Sequence, residues 1–162
     1  MKLALARSVA IAALIATMAA CSGGTASGAR TVTITHGAVT PSGTVAGAAD
    51  GVGTVRLFHL VATVQGGATG TVDAMMTTLS VDQGAGTETR LGTFVFMFSG
   101  GADELILEGT TVYPTGSSTF KAASTVVRPV IGGSGAYAGA RGWAESSGNA
   151  DGTWAHVFHL LP

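Results

Sequence analysis

The chain has 162 residues, of which 10% are charged and 25 are glycine, with a formal net charge of −1. Such a composition suits one compact β-rich domain with many tight turns; a disordered chain would carry more charge and fewer apolar residues. Beyond the first twenty residues, six basic side chains (Arg30, Arg56, Arg90, Lys121, Arg128, Arg141) stand against nine acidic ones, a net of −3. They form no cluster, which argues against nucleic-acid binding and against a polybasic membrane patch.

In chain order, Lys2 and Arg7 precede an unbroken apolar run from Val9 to Ala16, and the small residues Ala19 and Ala20 precede Cys21. This is the layout of an export signal, and the run is shorter than the ~20 residues of a membrane span. Met18-Ala19-Ala20-Cys21 resembles the lipobox of bacterial lipoproteins, which implies that Cys21 is acylated and anchors the protein to a membrane of the cell envelope. The alternative is an ordinary signal peptide cut near Ala20. Ser22 to Gly28 is a Gly/Ser-rich tether of the kind a lipid-anchored domain needs. Cys21 is the only cysteine, so no intrachain disulfide can form. The expected organisation is a signal peptide over 1–20, a flexible tether over 21–30 and a β domain over 31–162.

From Arg30 onward, runs rich in Val, Thr, Leu, Phe and Ile alternate with turn clusters such as Gln65-Gly66-Gly67, Ser99-Gly100-Gly101 and Gly132-Gly133-Ser134-Gly135. These features predict strands near 31–35, 54–64, 70–81, 89–98, 104–112, 118–127, 136–146 and 152–161. No segment of this region has sustained helical periodicity. Eight strands with short links predict an all-β fold, an eight-stranded antiparallel β-barrel, because closure removes the exposed edges of an open sheet. The Gly/Ala-rich stretch 36–53 is expected to cross one barrel mouth. Phe94, Phe96 and Phe98 alternate with Val95 and Met97, which puts three rings on one strand face, as core packing or as a pocket wall.

Several side chains are candidates for chemistry. His156 and His159 are three apart, so on a strand they face opposite ways and cannot share a metal ion. His59 and His159 could meet only if their strands pair, and no third ligand is evident, so no metal site and no cofactor is expected. Gly133-Ser134-Gly135 precedes no helix and reads as a turn, not a nucleophile elbow. Glu108 sits in the apolar run Leu105 to Gly109. Facing a pocket it would be a proton-transfer group with a raised pKa; otherwise it is a solvent-facing or paired carboxylate. Arg141, Tyr137 and Trp143 lie close in sequence, and could hold an anion or a flat ring, or simply pack together.

Val130-Ile131-Gly132-Gly133-Ser134-Gly135-Ala136-Tyr137-Ala138-Gly139-Ala140-Arg141-Gly142 resembles the signature of plant dirigent proteins and the related allene oxide cyclase barrels: a Gly-Gly-Thr-Gly turn, an aromatic residue and Ala-Arg-Gly. Phe94 to Phe98 and Asp103 to Gly109 fit the same scheme, and the resemblance spans roughly 54–161. It implies an eight-stranded antiparallel barrel, commonly a homotrimer, with an elongated apolar pocket to which Arg141 contributes. Family members steer phenoxy-radical coupling or cyclise an unstable epoxide. Val127 stands where dirigent proteins often carry an acidic residue.

Three readings of function follow. In the first, an envelope lipoprotein binds a small, largely apolar molecule in the barrel, with Arg141, Tyr137, Trp143, Phe94, Phe96, Phe98 and His59 as ligand-binding residues. In the second, the barrel is a cyclase or isomerase in which Glu108 or Arg141 assists. In the third, a filled barrel is a structural or self-association module. Whether the protein is an enzyme stays open at this level.

Overall fold

The computed structural model describes residues 29–120 and 124–162, so Cys21, the leader and most of the tether lie outside the described residues. Nine strands follow one another: β1 (Arg30–His36), β2 (Gly43–Val45), β3 (Val55–Val64), β4 (Thr69–Asp82), β5 (Thr87–Phe98), β6 (Asp103–Pro114), β7 (Thr125–Ser134), β8 (Gly142–Gly148) and β9 (Trp154–Leu160). Each of β3 to β9 pairs antiparallel with its chain neighbour, and β1 pairs with β9. The sheet closes where β1 also pairs with β3, through Ile34↔Val64, Thr35↔Thr63 and His36↔Ala62. The result is an eight-stranded antiparallel barrel, with the short β2 lying beside β3 in the long loop that follows β1.

Alternation decides what fills the barrel. In β5 every second residue from Glu88 to Phe98 is buried, which turns Phe94, Phe96 and Phe98 inward. Phe96 meets Phe158 edge-on, with centroids 5.1 Å apart, and Ile34, Leu105 and Leu107 complete this fully buried layer.

Two predicted strands are displaced. The expected strand at 118–127 begins only at Thr125, because Gly116 to Phe120 form a loop across one mouth; the expected strand at 136–146 begins at Gly142. The Gly132-Gly133-Ser134 stretch, read as a turn, is the end of β7. The turn itself is the 3-10 segment Gly135–Tyr137. Asp103 Oδ1 accepts a hydrogen bond from the Ala136 N–H at 2.8 Å and ties this turn to the start of β6. Gly135 has φ 56°, and a Cβ there would lie 2.2 Å from the Ala102 carbonyl oxygen. The glycine-rich motif thus closes the barrel end where β1 begins, since Arg30 lies over the Tyr137 ring at 4.9 Å.

The opposite mouth is built differently. β6 and β7 pair from Glu104↔Ser134 to Leu107↔Val130, with a bulge at Ile131. Pro129 follows without an N–H to extend the ladder. Beyond it Arg128 reaches across to β6, where its Nη2 donates to Thr111 Oγ1 at 2.8 Å and to the Tyr113 hydroxyl at 2.9 Å.

Candidate functional site

Under this mouth lies a cavity of about 40 Å³. Its wall is apolar: Phe58 and Leu60 from β3, Val72, Ala74 and Met76 from β4, and Phe94 from β5. Phe120, from the loop before β7, stands over it edge-on to Trp154 at 4.7 Å and tilted on Tyr113 at 6.0 Å. One water needs roughly 10–15 Å³ of such space, so the cavity as it stands holds about three. A ring-sized guest has to take the place of the Phe120 ring.

One side of the cavity is a chain of hydrogen bonds whose direction can be worked out. His36 Nδ1 lies 2.7 Å from the Gly37 carbonyl oxygen, which only accepts, so Nδ1 carries the proton. The bare His36 Nε2 is 3.0 Å from His156 Nε2, which must therefore donate. His156 Nδ1 is then bare and accepts from the Ser146 hydroxyl at 2.8 Å. This assignment requires both rings to be neutral. Burial enforces that, lowering the His36 pKa and lowering that of His156 to about 3; the repulsion a second charged ring would meet from His36, and the charge of Arg128, add to the second shift. The register creates the cluster. In the β1–β9 ladder His36 stands opposite Trp154 and Ile34 opposite His156, while Ser146 stands opposite His156 across β8 and β9.

A second polar cluster holds the loop down. Glu88 accepts from Arg90, from Arg56 at 3.2 Å, from Thr78 at 3.1 Å and from the Gly116 N–H at 3.2 Å. Arg90 also donates to the Ser117 carbonyl oxygen. The segment that carries Phe120 is thereby fastened to β5. Burial alone would raise the Glu88 pKa, but the bond from Arg90 and the charges of Arg90 and Arg56 outweigh it and hold the carboxyl below its ordinary range.

The residues singled out from the sequence are scattered by this geometry. Phe94 lines the cavity, Phe96 meets the His156 ring edge-on at 4.9 Å, and Phe98 lies further down the core. Tyr137 is buried at the opposite end. Glu108 does not enter the barrel: Leu105 and Leu107 take the inward positions of β6, and Glu108 accepts a bond from Thr93 Oγ1 at 2.9 Å on the outer face. Arg141 precedes β8, is exposed, and donates to the Pro162 carbonyl oxygen at the end away from the cavity. The readings that set Glu108 or Arg141 in the pocket are thus corrected: Glu108 takes the outward, paired alternative, and Arg141 lies away from the cavity. Trp143 is on the outside, stacked on His159 with centroids 4.9 Å apart. His59 is also outside, paired with Asp73 at 2.5 Å. Sequence reasoning missed His36, Ser146, His156, Trp154, Phe120 and Arg128 as a set. No group of three His, Cys, Asp or Glu among the described residues is arranged to hold a metal ion.

No family model matches this chain, and no curated protein matches it. Solved structures do. A pyocyanin demethylase superposes with a TM-score of 0.56 at 18% identity, covering 82% of this chain and 99% of that one. A pterocarpan synthase dirigent protein superposes with a TM-score of 0.54 at 17% identity, covering 82% of this chain and 86% of the other. At such identities the likeness is one of fold: the chain carries the dirigent-type β-barrel.

Proposed function

We propose that this protein is an exported, lipid-anchored barrel that binds a small, largely apolar, ring-bearing molecule under the Phe120 mouth. The observation that carries the reading is the cavity itself: an apolar wall with a few convergent polar groups and an aromatic plug of the size of the guest it would admit. Concave apolar sites with a few fixed polar groups are where small molecules bind. Both structural neighbours are named for small molecules, which agrees with it. The anchor fits as well. Arg30 starts β1 at the end opposite the cavity, so a tether from Cys21 would leave the mouth facing away from the membrane.

Two measurements test the two halves. Cys21→Ala should move the protein from the membrane to the soluble fraction without changing its melting temperature; a wild-type chain that is soluble and carries no lipid mass contradicts the anchor. For the pocket, Trp143→Phe leaves Trp154 as the sole tryptophan, since the chain has two. Titration with the neutral quencher 4-nitroanisole should then quench Trp154 saturably. A linear, collisional response would leave the filled, structural barrel as the better reading.

One observation favours the cyclase or isomerase alternative. The Ser146–His156–His36 chain is a ready path for a proton beside the cavity. Conversion of a bound compound, followed by chromatography, separates that reading from binding alone.

A further inference from the structure

The interior of the barrel carries more positive charge than it neutralises. Arg56, Arg90 and Arg128 point inward, against the single carboxylate of Glu88. Among the described residues, Glu88 pairs with Arg56 and Arg90 only. All nine Asp and Glu of the chain lie among the described residues, and none of them pairs with Arg128. Arg128 is 2% exposed. Its protein partners are two neutral hydroxyls, those of Thr111 and Tyr113, and the face of Phe94, 4.7 Å from the guanidinium carbon. Burial pushes the Tyr113 phenol pKa up, so this hydroxyl supplies no negative charge near neutral pH. Among the described residues, the Arg128 Nε has no hydrogen-bond partner. The side chain lines the same cavity as Phe94 and Trp154.

A buried guanidinium without a counter-charge is costly, and a planar fork of donors is the group best matched to a carboxylate or phenolate. We infer that Arg128 is an anion seat, and that the molecule held under the mouth is a ring-bearing organic acid whose anionic oxygen meets Arg128 while its ring lies against Phe94 and Trp154. This rests on the binding reading above and names its ligand class. The neutral His36–His156 pair on the other side of the cavity adds no competing charge. Among the described residues, that leaves Arg128 as the ion at the cavity without a charged partner.

Two isosteric probes test it on the Cys21→Ala chain: 4-nitrobenzoate and 4-nitrobenzamide, with acetate as a ringless anion. Calorimetry should show 4-nitrobenzoate binding at least tenfold tighter than 4-nitrobenzamide, and acetate far weaker than either. In Arg128→Gln the benzoate should fall to the level of the benzamide, whose own affinity should change little. If that variant does not fold, the Arg128 Nε–H resonance of the otherwise unaltered chain decides: it should shift with 4-nitrobenzoate and stay put with 4-nitrobenzamide. Equal binding of benzoate and benzamide overturns the anion seat and leaves the pocket standing. Binding of acetate as tight as benzoate overturns the ring-bearing acid. Binding of neither aromatic probe overturns both the seat and the pocket.

Discussion

Glu88→Gln is expected to destabilise the barrel by about 3–5 kcal/mol, because removing one member of a buried ion cluster leaves the others uncompensated. At roughly 2–4 °C per kcal/mol for a domain of this size class, the melting temperature should fall by about 6–20 °C. Glu88 is almost wholly buried and receives four hydrogen bonds, two of them from the Arg56 and Arg90 guanidiniums. Its amide replacement keeps the shape but loses the charge and one acceptor oxygen. The Gly116 to Phe120 loop should loosen too, since Glu88 and Arg90 both bond to it. Faster amide exchange at Gly116 and Thr119 than in the core strands would report that. A variant within 1 kcal/mol of wild type would show that the cluster contributes little.

Mild acid should weaken the fold through a different group. His156 has a folded-state pKa of about 3 against an ordinary 6.5, chiefly because burial disfavours its charged form. The unfolded chain therefore binds a proton below pH 6.5 that the folded chain refuses. The contribution to stability is complete above pH 6.5 and declines as pH falls, by about 1.4 kcal/mol per pH unit. Between pH 7 and 5 the loss from His156 alone is roughly 2 kcal/mol, and His36, lowered in the same direction, adds to it. Glu88 acts in a separate window. Its carboxyl is held below the ordinary range, so its contribution is present above about pH 4.5 and lost as pH drops through the folded-state value. Urea unfolding at pH 7 and pH 5 isolates the histidines. His156→Gln should be less stable at pH 7, because it breaks the Ser146–His36 chain, yet lose about 2 kcal/mol less than wild type on going to pH 5. An unchanged difference between the two pH values would place the acid sensitivity elsewhere.

The architecture was legible because strand alternation is a local signal. The Phe94, Phe96 and Phe98 stripe faces inward as its period requires, and the strand count gives a closed eight-stranded barrel. The same alternation held more than was read from it. Stepping back by twos from Phe94 leads through Gly92 to Arg90 and Glu88, which places two charges inside the barrel. On β6 the inward Leu105 and Leu107 turn Glu108 outward by the same rule. A charged residue in an apolar run was the weaker guide, since the outer face of a barrel strand tolerates charge. The strand expected at 118–127 failed because Thr119 and Phe120 have strand-like chemistry yet serve as a plug over the mouth, where the Glu88 cluster holds their loop. His36 and His156 are 120 positions apart, and only the β1–β9 register brings them together. No local pattern encodes that contact. The glycine-rich motif, the most distinctive stretch in the sequence, closes the end of the barrel away from the cavity, so its distinctiveness reflects packing constraints such as those at Gly135.

If a ring enters under Phe120, it can be located there directly. Intermolecular nuclear Overhauser contacts of 4-nitrobenzoate with the isotope-labelled Cys21→Ala chain would do so. The expected contacts run from the probe ring to Met76, Phe94 and Trp154, with the Phe120 ring moved off Trp154. Contacts confined to the outer groove around Leu57, His59 and Met75, with Phe120 still edge-on to Trp154, would contradict it.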